Sequence, residues 1–275
     1  MLKIGVIGAG NLASALIRGL GNRRRGVYDI YVTDIDRAKA ESLAKALHVR
    51  TGTTAELAAR MDVLVLAVKP ANIPGLLQEL KALPAGQDRA RPLIISVAAG
   101  LSLAYYQKQL PEAAMVRAMP NTSSSTGRGM TGLARGIHVT EAQAAAADDI
   151  FQAVGQTLWI ADEKMNILTA VSGSGPAYFY LVAEAMAEAA VRLGLSPAEA
   201  ELLARQTLVG AGAMLEGNEK TSPADLRAAV TSPQGTTEAA IKQMRRDGLE
   251  NLFLRGMQAC VARGQQMGEE LENAP

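Results

Sequence analysis

The chain has 275 residues, with 28 Lys and Arg against 27 Asp and Glu and a net charge of +1 at pH 7. This balance gives no overall field to hold a nucleic acid or an anionic membrane, so neither partner is expected. The length predicts two domains. The N-terminal residues lack a signal-peptide pattern, there is no long uncharged apolar run, and a single cysteine, Cys260, cannot form an internal disulfide. We therefore expect a cytoplasmic protein.

Short apolar segments alternate with amphipathic segments from Leu2 to about Ile160. The pattern predicts strands at 2–7, 28–33, 62–68, 92–98 and 113–119, and two more at 130–135 and 156–161 that extend the same sheet. It predicts helices at 11–20, 36–47, 54–60, 72–82 and 140–153. Continuous apolar strands that alternate with helices are typical of a parallel sheet covered on both faces.

A glycine-rich turn follows the first strand. Gly8, Gly10 and Ala13 form the pattern GxGxxA directly before a predicted helix. The first glycine permits a tight turn, the second lets the backbone approach a pyrophosphate, and the small third residue lets helix and strand pack closely. The second strand ends at Asp34, at the spacing expected for the acid that meets the adenosine ribose. The pattern predicts a doubly wound, Rossmann-type domain that binds a dinucleotide.

Beyond Asp162 the sequence predicts only helices, separated by turns rich in Gly, Ser and Pro. We place the boundary between a dinucleotide-binding domain at 1–162 and an all-helical domain at 163–275. The helical segment at 175–194 is apolar on most sides, since its only charges are Glu184, Glu188 and Arg192. Such a helix must be buried on most sides. It is either the centre of a single bundle or, as we prefer for so small a domain, part of a homodimer with shared helices.

Three stretches concentrate Gly, Pro and hydroxyl side chains at 117–134, 170–181 and 231–240. Each stretch alone is ordinary cap and turn chemistry. Together they favour a binding cleft, because a helix N-terminus with small neutral donors suits a carboxylate. The two turns of the second domain carry no Lys, His or Asp to accept the proton of an alcohol. Reduction of an imine avoids that need, because a protonated C=N bond is already electrophilic and orientation does most of the work.

These stretches resemble the Δ1-pyrroline-5-carboxylate reductase family over nearly the whole chain. The resemblance rests on "IGAGNLASALIRGL", "AVKP", "RAMPNT", "GMTGL", "SGSGPAY" and above all "LRAAVTSPQGTTEAAI". It implies reduction of the cyclic imine 1-pyrroline-5-carboxylate to L-proline by NAD(P)H, the last step of proline biosynthesis. It also implies a homodimer with interleaved helical domains, which in this family is often assembled further into a decamer of five dimers.

The resemblance further implies site residues. Besides Asp34, the coenzyme is expected to contact Gly8, Ala9, Gly10, Asn11, Leu12, Thr54, Ala67, Val68, Lys69, Pro70, Ala98 and Asn121. The substrate is expected to contact Glu163, Ser174, Ser232, Gly235, Thr236 and Thr237. Thr237 is assigned the catalytic role because it is expected to lie closest to the ring nitrogen. No metal is expected.

The choice of coenzyme and of reaction class leaves alternatives. The carboxylate of Asp34 would accept the ribose hydroxyl of NADH and repel the phosphate of NADPH, although Arg37 could offset that repulsion. The family commonly prefers NADPH, so NADPH is our first choice and NADH the second. Another imine or β-hydroxyacid oxidoreductase is an alternative. A β-hydroxyacid dehydrogenase requires a catalytic lysine in the helix after "SGSGP", and "SGSGPAYFYLVAEAM" contains none. A non-catalytic NAD(P)-binding sensor is a further alternative.

Overall fold

A computed structural model describes residues 1–23, 26–83 and 91–273. Within these residues, eight strands form one sheet in the order β3-β2-β1-β4-β5-β6-β7-β8. The strands are β1 Leu2–Ile7, β2 Tyr28–Thr33, β3 Arg50–Thr51, β4 Val63–Leu66, β5 Leu93–Ser96, β6 Met115–Met119, β7 Gly129–Arg135 and β8 Gly155–Trp159. The first six pair in parallel, β7 is antiparallel to β6, and β8 is parallel to β7.

Helices connect these strands and make up the rest of the fold. They are α1 Asn11–Arg23, α2 Arg37–Leu47, α3 Thr54–Arg60, α4 Ile73–Ala82, α5 Leu103–Gln109, α6 Glu141–Gln152, α7 Met165–Leu168, α8 Gly175–Arg192, α9 Pro197–Gly217, α10 Pro223–Ala229, α11 Thr236–Arg246 and α12 Leu249–Glu272. A π-helical segment, Thr169–Gly173, joins α7 to α8. None of the described helices combines the length and hydrophobicity needed to cross a lipid bilayer.

Two apolar clusters lie on opposite faces of the sheet because successive strand residues point to opposite sides. Ile4 and Val6 belong to the cluster with α1, α2 and α6, whereas Leu64 and Leu66 belong to the cluster with α3, α4, α5 and α7. Both clusters consist of buried aliphatic residues with few aromatic ones. This arrangement confirms the predicted doubly wound α/β sheet followed by a helical region.

The structure adds two elements that the sequence reasoning missed. Strand β3 has only two residues, Arg50 and Thr51, both exposed, so it lacks the apolar run on which the prediction depended. Helix α5 begins after Ser102, whose hydroxyl accepts the N–H of Tyr105 as an N-terminal cap. Its seven residues are too few for a clear helical period.

The chain divides into two compact units. Unit 1 comprises residues 1–174 and 260–275, and unit 2 comprises residues 175–259. The C-terminal part of α12 therefore belongs with the sheet. The boundary between 162 and 163 that we derived from the sequence, between a dinucleotide-binding domain and an all-helical domain, stays a prediction.

Unit 2 leaves large apolar side chains exposed in the single chain. On α8 these include Phe179, Tyr180, Leu181 and Met186, and of the residues of α8 only Gly175 is buried. Exposed apolar residues continue along α9 and α12, including Leu202, Val209, Met214, Leu252 and Leu254. An apolar surface of this extent is typical of a subunit interface.

A buried ion pair joins three elements of unit 1. The Arg117 side chain in β6 is 5% exposed, and its Nη1 donates to Asp162 Oδ1 at 2.9 Å. The other oxygen of Asp162 accepts the N–H of Leu103 at the start of α5 at 2.8 Å. Removal of the carboxylate would leave a buried guanidinium without its partner.

We expect Asp162→Ala to lower the free energy of unfolding by about 3 kcal/mol, because it leaves a buried charge unpaired. The exposed pair of Arg37 and Glu41 provides a control. Glu41→Ala is expected to change the free energy of unfolding by less than about 1 kcal/mol. Urea denaturation measures both, and equal effects of the two substitutions would contradict the structural role of Asp162.

Candidate functional site

The predicted coenzyme residues lie along one edge of the sheet. Because β2, β1, β4, β5 and β6 are parallel neighbours, their carboxyl ends face the same way. The residues that directly follow these strands include Gly8–Leu12, Asp34, Ala67–Pro70, Ala98 and Asn121. Thr54 begins α3, the helix after β3. The fold thus brings the residues inferred from separate motifs to one edge, where open α/β sheets bind ligands.

Two glycines of the first turn have different surroundings. Gly8 has φ +113°, and a Cβ there would overlap the backbone carbonyl of Ala67, so only glycine fits. Its N–H donates to Thr33 O at 2.7 Å. At Gly10 a Cβ would meet nothing within 4 Å. The space beside Gly10 at the N-terminus of α1 fits a pyrophosphate, which the N–H groups of the first helical turn would bind.

Asp34 holds this turn in place. Its Oδ2 accepts the N–H of Ala9 at 2.7 Å, and its Oδ1 accepts the N–H of Asp36 at 2.9 Å. The carboxylate therefore joins the glycine-rich turn to the loop after β2. The predicted contact with the adenosine ribose adds to this role, since each oxygen has a second lone pair. Arg37, the residue that could offset the charge of Asp34, pairs with Glu41 at 2.9 Å.

A buried pair of hydroxyls supports the loop after β5. The Ser96 and Tyr106 hydroxyl oxygens lie 2.6 Å apart, and both residues are fully buried. Ser96 Oγ also accepts the N–H of Ala98 at 3.3 Å. Burial raises the pKa of Tyr106 to about 12, so its hydroxyl keeps its proton near neutral pH. The pair thereby positions Ala98, one of the predicted coenzyme contacts.

Asn121 and Ser174 are held by contacts within unit 1. The side chain of Asn121 donates to Ser172 O at 2.9 Å and accepts the N–H of Met130 at 3.2 Å. Ser174 Oγ lies 3.3 Å from Cys260 Sγ. Asn121 thus fixes the π-helical segment directly before Ser174. Glu163 is exposed in a 3-10 turn at 162–164.

Ser232, Gly235, Thr236 and Thr237 lie together at the start of α11 in unit 2. Gly235 is the N-cap residue, and no side chain caps this helix. By contrast, side chains cap α2, α3, α5, α6, α9 and α10. Thr236 and Thr237 are exposed in the first turn, so backbone N–H groups and hydroxyls are available together. This combination suits a small carboxylate.

The sequence reasoning missed the residues that shape this turn. Gln234 has φ +61°, a left-handed conformation that usually favours glycine. Glu238 Oε2 accepts the Gln234 N–H at 2.9 Å, and Glu238 Oε1 pairs with Lys242 Nζ at 3.1 Å. Lys242 first, then the Gln234 N–H, lowers the pKa of Glu238. Glu238 could have been found from its place as the third residue of α11, because an acidic side chain there commonly accepts a backbone N–H at the start of the helix.

Two other features of the described chain bear on its chemistry. Lys69, after β4, is exposed. Across residues 1–23, 26–83 and 91–273, no group of three or more His, Cys, Asp or Glu side chains is arranged to hold a metal ion.

Family models match both parts of the chain. One described as pyrroline-5-carboxylate reductase dimerisation matches residues 162–267. Another, described as NADP oxidoreductase, coenzyme F420-dependent, matches residues 3–100. The second match covers the glycine-rich turn and four of the five strand ends described above.

Individual relatives agree with these matches over the full length. A pyrroline-5-carboxylate reductase of Pseudomonas aeruginosa is 41% identical over 276 residues, covering 98% of each chain. The solved structure of a pyrroline-5-carboxylate reductase from Coxiella burnetii has 38% identity and a TM-score of 0.89, covering 96% of this chain and 97% of that one. The Plasmodium falciparum pyrroline carboxylate reductase, solved with NADP bound, has 26% identity and a TM-score of 0.77, covering 97% and 98%.

We expect Gly10→Ala to fold normally but to bind NADPH at least about tenfold more weakly, because the new methyl group enters open space where the pyrophosphate approaches. Gly21→Ala in α1, where a Cβ also meets nothing within 4 Å, is the control. Coenzyme fluorescence measures binding, and thermal denaturation measures folding. Unchanged NADPH affinity in the Gly10 variant would separate this turn from the coenzyme.

Proposed function

Since the chain belongs to the pyrroline-5-carboxylate reductase family, we infer that it reduces the C=N bond of 1-pyrroline-5-carboxylate with NAD(P)H to give L-proline. The enzyme is an NAD(P)H-dependent oxidoreductase of proline biosynthesis. We infer the substrate class from the start of α11, where a helix N-terminus without a side-chain cap lies beside Ser232, Thr236 and Thr237. The substrate of this reaction has a carboxylate that these neutral donors suit.

The residues of unit 1 divide the work of binding the coenzyme. When bound, NAD(P)H supplies the hydride. The backbone N–H groups of the turn at Gly8–Leu12 would hold the pyrophosphate, and Asp34 keeps that turn in shape. The loops at Ala67–Pro70 and at Ala98 lie farther along the same edge and would hold the rest of the coenzyme.

The residues around α11 orient the imine and need no general base. Backbone N–H groups at the start of α11 bind the substrate carboxylate, and the hydroxyl of Thr237 lies next to the ring nitrogen. Glu238, the acid nearest to Thr237 in the chain, is held by Gln234 and Lys242. Its lowered pKa makes it a weak proton acceptor near neutral pH. Orientation of a protonated imine by Ser232, Gly235, Thr236 and Thr237 therefore does most of the work.

Coenzyme absorbance at saturating NADPH tests this function. Addition of pyrroline-5-carboxylate is expected to start oxidation of NADPH, and proline is the product to identify by mass. A β-hydroxyacid substrate with NADP+ is the comparison for the alternative reaction class. The proposal would be contradicted if the protein binds NADPH but does not oxidise it when a cyclic imine is added.

We expect Thr237→Ala to lower kcat by about tenfold or more, because the loss of a hydrogen bond made in the transition state costs at least about 1.4 kcal/mol. Thr237→Ser keeps the hydroxyl and is expected to retain most of the activity. Thr221→Ala, in the loop before α10, is the control and should leave kcat unchanged. The Kd for NADPH is expected to stay the same in all three variants. Unchanged turnover in Thr237→Ala would remove this residue from the mechanism.

NADPH is proposed as the preferred coenzyme, with NADH second. We expect kcat/KM to be higher with NADPH. The charge of Asp34 opposes this preference, so Asp34→Asn, which keeps an oxygen acceptor for a backbone N–H, should raise kcat/KM for NADPH by about fivefold or more. Steady-state kinetics of both proteins with both coenzymes measure the effect. A large preference of the native enzyme for NADH would overturn the proposed choice.

The enzyme is an oligomer, and we propose that its unit is a homodimer built through the helical domains. The support is the exposed apolar surface of α8, α9 and α12 together with the dimerisation family match. Assembly into a decamer of five dimers and a cytoplasmic location stay predictions.

Sedimentation velocity at low concentration is expected to show no stable folded monomer, because an isolated chain would expose these apolar helices. Phe179→Glu, which places a charge on the α8 surface, is expected to shift the protein toward smaller, less stable species. Glu184→Gln, in the same helix, is the control. A folded monomer of the native chain with full thermal stability would contradict the dimer.

A further inference from the structure

The C-terminal end of α12 lies against the loop that follows β5. Residues 260–275 belong to unit 1, although the 85 residues before them form unit 2. Residues 264–272, which we call the α12 end segment, contact Gly100 and Ser102 in that loop. The same loop contains Ala98, the predicted coenzyme contact. These contacts join residues that are 170 positions apart in the sequence.

Two glycines permit the close approach of the backbones. A Cβ at Gly268 would lie 2.6 Å from the Gly100 carbonyl oxygen, and Gly268 is buried. Gly100 has φ +92°, and a Cβ there would lie 3.5 Å from the Gly268 nitrogen, at ordinary van der Waals distance. A Cβ at Gly268 would force the helix and the loop apart. The close contact therefore depends on glycine at 268, whereas glycine at 100 is favoured by its positive φ.

Glu272 adds a polar contact at the far end of the loop. Its Oε1 accepts the Ser102 N–H at 3.1 Å and the Ser102 hydroxyl at 2.7 Å. Leu271 packs against the apolar cluster that contains Leu101 and Tyr105. Burial first, then the nearby Glu272 carboxylate, raises the pKa of Tyr105. The α12 end segment thus fixes both the backbone and the cap of α5.

The opposite side of the loop is fixed from within the sheet. Ser96 binds both the Tyr106 hydroxyl and the Ala98 N–H, as described above. The loop between Ser96 and Ser102 is therefore held at both ends. One end depends on β5 and α5, and the other depends on the last turns of α12.

We propose that the α12 end segment positions the loop after β5 for the nicotinamide coenzyme, with Glu272 as a positioning residue for hydride transfer. The proposal rests on the proposed function for the identity of the coenzyme. Glu272 acts through Ser102 and the loop. Loss of its hydrogen bonds lets the loop at 97–102 adopt other conformations, which weakens coenzyme binding and misaligns the hydride.

The direct test compares Glu272→Ala, Glu272→Gln and Glu270→Ala in the full-length enzyme. Glu270 pairs with Arg263 on the exposed side of the same helix, which makes it a matched control. We expect Glu272→Ala to raise the Kd for NADPH by about fivefold, because two hydrogen bonds to a charged group are lost at an exposed site. Glu272→Gln keeps an acceptor oxygen and should stay within about twofold of the native Kd, and Glu270→Ala should match the native Kd.

The readouts separate positioning from general stability. NADPH binding is measured by coenzyme fluorescence without substrate. This measurement therefore tests the role of Glu272 even if the enzyme does not reduce the imine. Kinetics are expected to show a raised KM for NADPH and an unchanged KM for the imine in Glu272→Ala. An unchanged Kd in Glu272→Ala, or an equal rise in Glu270→Ala or Glu272→Gln, would overturn the proposal. Gly268→Ala is expected to weaken NADPH binding further, and a native Kd in that variant would also overturn it.

Discussion

Parallel pairing of β1 with β2 on one side and with β4 on the other is the constraint on which the arrangement of the predicted coenzyme residues depends. The ladder runs from Leu2 opposite Tyr28 to Ile7 opposite Thr33, and from Ile4 opposite Val63 to Ile7 opposite Leu66. It brings the ends of three strands level, so that the Gly8 N–H donates to the Thr33 carbonyl oxygen and Gly8 approaches the backbone of Ala67. A parallel order with helical crossovers leaves the loops on one side of the sheet.

The sequence was informative where chemistry is local. Gly8, Gly10 and Ala13 reveal a strand-to-helix turn because their spacing falls within one short segment directly after an apolar strand. The continuous apolar runs of the central strands likewise predict a sheet covered on both faces. The candidate turn before α11 could be found for the same reason, since Ser232 to Thr237 are consecutive or nearly so in the sequence.

The rest depended on contacts between distant residues. Asp34 was predicted to meet a ribose, but its bonds to the Ala9 and Asp36 N–H groups follow from tertiary geometry that the spacing does not contain. Ser96 and Tyr106 form their buried pair only because α5 packs under β5. The left-handed Gln234 was also unforeseen, because glutamine rarely adopts that conformation and the compensating Glu238 lies in the next turn. The periodicity of the sequence predicts helices and strands. The roles of these side chains depend on residues that are close in space but distant in the sequence.

The return of α12 to the sheet also has a consequence for biosynthesis. A ribosome releases the strands of unit 1 first, and chains generally begin to fold from the N-terminus. When residue 174 has emerged, the nascent chain still lacks the helix that covers Gly100 and accepts hydrogen bonds from Ser102. The nucleotide-binding half therefore reaches its final form only after almost the entire polypeptide has been translated. Maturation of the coenzyme pocket and completion of the helical half are thereby coupled in time.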